Sequence, residues 1–202
     1  MAGQKTWRIG VAGLGTVGAG LLTFLSEHPD FAPAGGRARI TGVSARSRSR
    51  PRPFDIANLP LFDDPVALAT SADVDVFVEL IGGSDGPAKA AVEAALAAGK
   101  PVVTANKALI AEHGAELAAL AEAKGAPLLF EAAVMGGVPA VKIVREALVG
   151  DDIRSIAGIL NGTCNYILTE MEATGRPFAE VLAEAQRLGY AEADPTMDVG
   201  GF

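Results

Sequence analysis

Little in this chain is sulfurous, aromatic or cationic, and each scarcity excludes something. There is one cysteine, Cys164, so no disulfide can form within the chain, and a reducing compartment is the natural setting. Phe, Tyr and Trp together make up 5% of the residues, against 24 glycines and many alanines. That mix suits helices packed closely on a sheet. Basic side chains number 17 against 24 acidic ones, a formal charge of −7, which disfavours a general nucleic-acid-binding role. One local exception is the arginine run Arg46, Arg48, Arg50 and Arg52. No apolar stretch approaches the roughly 20 residues of a membrane helix, and no apolar segment follows a basic start as in a secretory signal. The expectation is a soluble cytoplasmic protein with neither nucleic acid nor membrane as partner.

What is present is alternation. Apolar runs at Trp7–Ala12, Ala38–Ser44, Val74–Leu80, Pro101–Thr104 and Pro127–Phe130 read as strands. Helical patterns fall at Val17–Ser26, Pro87–Ala98 and Lys107–Lys124, the last with a break expected near Gly114. Arg46–Pro60 is polar and proline-interrupted, and reads as loop. Strands alternating with helices predict an α/β fold: a Rossmann-type, doubly wound parallel sheet with crossover helices. From Glu131 onward the character changes, giving expected domains at 1–130 and 131–202. The second reads as a helix at Val138–Leu148, a strand at Ile153–Leu160, and helices at Asn165–Glu172 and Phe178–Leu188: the incomplete start of a further α/β domain. At 202 residues the chain has room for one large domain, or for one domain and part of another.

The sharpest motif is Gly13-Leu14-Gly15-Thr16-Val17-Gly18, a G-x-G-x-x-G that directly follows a strand and opens a helix. Gly13 permits a tight turn, Gly15 lets a pyrophosphate approach the backbone, and Gly18 lets the helix pack on the strand. The helix N-terminus then offers free N–H groups and partial positive charge to phosphates. All six residues, Leu14, Thr16 and Val17 included, are therefore candidate cofactor contacts. A glycine-rich turn without ligand is the bland alternative. It is disfavoured by the βα units that follow.

An NAD-specific site usually carries a carboxylate at the end of the second strand. Here that end reads Ser44-Ala45-Arg46-Ser47-Arg48. Arginine binds a 2′-phosphate through charge-assisted bonds, so NADP is favoured over NAD, with Arg46 the contact, against the alternative of a solvated basic loop. Thr104-Ala105-Asn106-Lys107 lies at the carboxyl end of a strand, the edge that faces the ligand crevice in open α/β sheets. Lys107 is either a functional point charge there or an ordinary first-turn helix residue, and spacing alone favours neither.

Taken together, GLGTVG at 13–18, TANK at 104–107, EAAVMGGVPAV at 131–141, GILNGTCNYIL at 158–168 and GYAEADPTMDVGG at 189–201 resemble homoserine dehydrogenase. The resemblance covers essentially the whole chain. It implies reversible NAD(P)-dependent reduction of L-aspartate 4-semialdehyde to L-homoserine, a small-molecule reaction in amino-acid biosynthesis leading toward threonine, methionine and isoleucine. It assigns Lys107 to cofactor binding and catalysis, and Glu192 to the substrate's ammonium group. It also implies a monovalent cation, sodium, on Glu131 and the main-chain oxygens of Val134, Gly136 and Val138. Oxygen ligands suit a hard cation, although Glu131 alone reads equally well as a hinge hydrogen-bond acceptor. Asn161, Gly162 and Thr163 are expected on the crevice floor, and a homodimer is expected of the complete enzyme.

The sequence departs from the family where it stops, at Phe202. The family continues with an aspartate and then a lysine that donates the proton to the substrate oxygen. A truncated chain, catalytically weak by itself, is the expectation from this departure. The competing readings are a non-catalytic dinucleotide-binding module and an aspartate-semialdehyde dehydrogenase-like enzyme. The latter needs a catalytic cysteine and a histidine base, whereas Cys164 is the sole thiol and no histidine follows His113. His28 and His113 read as surface residues.

Overall fold

Six short apolar segments lie side by side, all parallel, and their order is set by the helices between them. The computed structural model describes residues 5–29, 31, 36–47, 56–158, 161–188, 190–191, 195 and 200. The strands are β1 (Lys5–Ala12), β2 (Gly36–Ser44), β3 (Leu61–Phe62), β4 (Val76–Glu79), β5 (Val102–Thr104) and β6 (Leu128–Leu129). They are ordered β3-β2-β1-β4-β5-β6, which is the doubly wound order whose direction reverses between β1 and β4. The helices α1 (Thr16–Glu27), α2 (Pro65–Thr70), α3 (Pro87–Ala97) and α4 (Lys107–Lys124) are the crossovers.

Period-two alternation divides the core between the two sheet faces. Ala12, Phe77 and Val102 point to one face, where they pack with Leu68, Val92, Leu96, Leu109 and Leu117 of α2, α3 and α4. Val11, Val43 and Val78 point to the other, where Leu22 of α1 covers them. Burial on both faces is why the strands read as continuous apolar runs and not as alternating ones.

The chain divides into two compact units, Met1–Val141 and Lys142–Phe202. The change in sequence character near Glu131 falls inside the first. There α5 (Glu131–Met135) packs against α4 and β5. Several local expectations need correction. Gly114 does not break α4, which runs unbroken from Lys107 and ends at Gly125, a left-handed cap with φ +62°. The helix expected at Val138–Leu148 is a short α6 (Ala140–Lys142) running into a π-helical turn at Ile143–Ala147. Residues 153–158 form no strand, because no neighbour pairs with them among the described residues; Ile156 there is 65% exposed. β3 and α2 lie between the loop expected at Arg46–Pro60 and the strand expected at Val74–Leu80, where no element was expected. Yet Asp64-Pro65 is a strong helix start: the Asp64 carboxylate accepts from Val66 N–H at 2.9 Å, and proline sits in the first turn.

The second unit contains α7 (Gly162–Thr174) and α8 (Phe178–Leu188), which meet through Ile167, Val181 and Ala185. Asn161 caps α7 by accepting from Cys164 N–H at 2.9 Å, and the Thr163 hydroxyl donates to the Tyr190 carbonyl at 2.7 Å. Cys164 is half-buried on α7. Arg176 ties the two helices together through Glu170 and Glu184.

Candidate functional site

Between the carboxyl ends of β1, β2 and β4 lies a cleft of about 670 Å³, within the first unit. Gly13, Leu14 and Gly15 form one wall, Ser44 to Ser47 another, and Leu80 to Gly82 a third. Gly13 has φ +98°, a backbone that L side chains rarely adopt. Its N–H donates to the Ser44 carbonyl at 2.9 Å, which binds the β1 turn to the end of β2. A Cβ on Gly13 would lie 2.2 Å from the Leu80 carbonyl oxygen, so the loop after β4 rests directly on this turn. A Cβ on Gly18 would lie 2.1 Å from the Gly13 carbonyl oxygen. A Cβ on Gly15 would meet no protein atom within 4 Å. Gly15 is also the N-cap of α1, with no side-chain cap. The first-turn N–H groups of α1, on Thr16, Val17 and Gly18, therefore open the helix without internal partners. Val17 is 59% exposed, whereas Gly18 is buried.

Arg46 is exposed and lines this cleft, beside Ser44 and Ser47. So does Asp63, a carboxylate that the end of β2 does not reveal. It arrives through β3, whose Phe62 pairs with Ser44 and so carries the next residue to the same edge. Reading only the β2 terminus misses it, because a two-residue strand carries almost no periodic signal.

Lys107 is the first residue of α4, immediately after the carboxyl end of β5, and is not among the cleft-lining residues. Its placement comes from Asn106. The Asn106 side chain accepts from Leu109 N–H at 3.1 Å as the helix cap, and donates to the Gly83 carbonyl at 2.7 Å. Glu79, at the end of β4, is fully buried and meets the same group: the Thr104 hydroxyl donates to it at 2.6 Å. A glutamate ending an apolar strand stands out in VDVFVEL, and that is the signal that was available for it.

A model of the homoserine dehydrogenase NAD binding domain matches residues 13–131, well over half of the chain. The chain belongs to the homoserine dehydrogenase family. A second model of the family, homoserine dehydrogenase, matches residues 139–202. Homoserine dehydrogenase from Corynebacterium glutamicum is 49% identical over 195 residues, 96% of this chain and 43% of its own length. The Pseudomonas aeruginosa homoserine dehydrogenase is 48% identical over 98% of this chain and 46% of its own. The chain thus spans under half the length of these curated relatives. Among solved structures, homoserine dehydrogenase from Thiobacillus denitrificans superposes with a TM-score of 0.84 at 46% identity, covering 96% of this chain and 45% of that one. A hyperthermophilic archaeal homoserine dehydrogenase in complex with NADPH gives 0.80 at 28% identity, over 97% of this chain and 65% of that one.

Asn161, Gly162 and Thr163 cap and open α7 in the second unit, and the remaining residues expected from this homoserine dehydrogenase resemblance fall into two groups. Glu131, Val134, Gly136 and Val138 lie on α5 and the turn after it, where Gly136 takes φ +57°. The Glu131 carboxylate accepts from Val141 N–H at 2.9 Å, which closes the turn. One carboxylate and main-chain oxygens on one short turn are a donor set that fits a hard cation. Glu192 lies outside the described residues, as do Arg48, Arg50 and Arg52. His28 is exposed as expected, and His113 is half-buried at the surface against two exposed carboxylates. Its ring is largely covered, with Nε2 3.3 Å from Asp85 and Nδ1 3.6 Å from Glu116. No described helix is long and apolar enough to cross a membrane.

Proposed function

We propose that this chain supplies the dinucleotide site and part of the substrate site of an oxidoreductase that interconverts L-aspartate 4-semialdehyde and L-homoserine, with NADP preferred. One observation carries the reading: at Gly15, on the wall of the cleft and at the start of α1, an added methyl would meet nothing in the protein. That space is what a pyrophosphate needs, and the adjacent first-turn N–H groups and helix dipole favour its charge.

The bound nicotinamide supplies or takes up the hydride at the substrate's C4 carbon. Gly13 to Gly18 hold the pyrophosphate. Arg46, with Ser44 and Ser47 beside it, binds the ribose 2′-phosphate by charge-assisted hydrogen bonds. Lys107 offers a point charge to the substrate oxygen, where negative charge develops as the aldehyde is reduced. Glu192 pairs with the substrate ammonium group. Glu131 with the carbonyls of Val134, Gly136 and Val138 would hold a sodium ion that stiffens the turn after α5. Homodimer assembly belongs to the same reading for the whole protein.

Arg46 and Asp63 oppose each other in cofactor choice, since a carboxylate repels a 2′-phosphate. Parallel calorimetric titrations with NADPH and NADH separate their effects. Arg46→Ala is expected to weaken NADPH by about tenfold or more, the value of a charge-assisted hydrogen bond of ~1.5–3 kcal/mol, and to leave NADH within twofold. Asp63→Asn is expected to tighten NADPH. Tighter binding of NADH than NADPH by the unaltered chain contradicts the assignment of Arg46.

A further inference from the structure

Among the described residues Glu79 is the one fully buried ionisable side chain, and the proposed chemistry gives it no task. Burying a carboxylate is costly unless donors surround it. Here no cationic side chain does so among the described residues, and the carboxylate is satisfied instead by donors from two separate segments. Oε1 accepts from Ile81 N–H at 2.7 Å and Gly82 N–H at 3.1 Å, in the loop that follows β4. Oε2 accepts from the Thr104 hydroxyl at 2.6 Å, at the end of β5. The Thr104 oxygen in turn accepts from Asn106 N–H at 3.0 Å, and Asn106 caps α4. The Asn106 amide reaches back to the Gly83 carbonyl at 2.7 Å, closing the circuit.

Each branch ends at a part of the site. The loop amides turned inward to Glu79 bring the Leu80 carbonyl and Ile81 nitrogen against Gly13, where a Cβ would lie 2.2 and 2.7 Å from them. Leu80, Ile81 and Gly82 are also one wall of the cleft. The other branch fixes the first turn of α4, whose first residue is Lys107. A carboxylate has only acceptor sites, so Glu79 accepts from both loop amides and from the Thr104 hydroxyl together.

We propose that Glu79 is a positioning residue: its carboxylate latches the loop after β4 onto the Gly13 turn and sets the start of α4, so that cleft wall and Lys107 are held ready before a dinucleotide arrives. The proposal rests on the cofactor reading above. A glutamate that served the fold alone would lower stability when replaced but leave affinity unchanged in whatever remained folded.

The test combines amide hydrogen exchange without ligand and NADPH calorimetry, on Glu79→Ala, Glu79→Gln and Thr104→Val, each below its melting temperature. In Glu79→Ala, exchange at Ile81 and Gly82 is expected to rise tenfold or more with Val11 unchanged, and the NADPH Kd to rise tenfold or more. Glu79→Gln keeps one carbonyl oxygen for the two loop amides and turns its NH2 to the Thr104 oxygen, so its Kd is expected within threefold of the original. Thr104→Val, which keeps the shape and loses the hydroxyl, is expected to raise exchange at Asn106 and Kd by threefold or more. It decides the matter if Glu79→Ala does not fold. Unchanged exchange in the loop, or unchanged affinity in folded Glu79→Ala or Thr104→Val, overturns the proposal. Failure of the unaltered chain to bind NADPH refutes the cofactor reading instead, and the exchange rates still decide the latch.

Discussion

At Gly18 an added methyl would sit 2.1 Å from the Gly13 carbonyl oxygen, while at Gly15 it would meet no protein atom within 4 Å. Two glycines of one motif therefore respond differently to the same change. Gly18→Ala forces α1 away from the β1 turn, and overpacking of this kind costs about 1–3 kcal/mol. A drop in melting temperature of several degrees is expected. Gly15 has φ −77°, which alanine adopts freely, so Gly15→Ala is expected to leave the melting temperature nearly unchanged. Its NADPH affinity should fall at least tenfold, because the methyl occupies the space reserved for the pyrophosphate. Equal losses of stability in the two variants contradict this division of labour. The tight turn at Gly13 and the close packing at Gly18 were legible in the sequence, since each follows from spacing relative to a strand and a helix. Asp63 was not, because it reaches the cleft through a two-residue strand, and Glu79 stood out only as a carboxylate ending an apolar strand, its hydrogen-bond partners at Ile81, Gly82 and Thr104 being a tertiary fact.

Among the elements, β1 and β4 are joined at the end remote from the cleft by Arg8 and Asp75. The Arg8 guanidinium donates twice to the Asp75 carboxylate, at 2.7 and 3.1 Å, and the Arg8 N–H donates once more at 2.9 Å. The side-chain hydrogen bond from Arg8 is the main reason the Asp75 carboxyl titrates below its usual range, against some opposition from burial. A carboxyl whose value is depressed by folding stabilises the protein above its unfolded value, about 3.9, and loses that contribution as pH falls through the folded one. Asp75→Asn is therefore expected to lower the urea midpoint at pH 7. The difference from the unaltered chain should shrink below about pH 4. A difference that stays constant down to pH 3 contradicts the pairing. Long elements such as α4 and α8 were legible in the sequence. Residues 153–158 were misread because a short apolar run signals a strand only if a neighbour pairs with it, and pairing is a tertiary fact.

For the whole molecule, the strand order and the family agree on one arrangement: an open parallel sheet that reverses direction between β1 and β4, with a cleft at that point. The alternation of strands and helices made this sheet legible. The first compact unit runs past the change in composition near Glu131, where α5 packs on β5 and α4. The central claim is that a dinucleotide rests with its phosphates at the start of α1, along the edge shared by β1, β2 and β4. Amide hydrogen exchange of the unaltered chain, compared with and without saturating NADPH, tests this most directly. Protection concentrated at Gly13–Gly18, with a second focus at Arg46 and Ser47, is the predicted result. No saturable binding, or protection confined to residues outside the first unit, contradicts it.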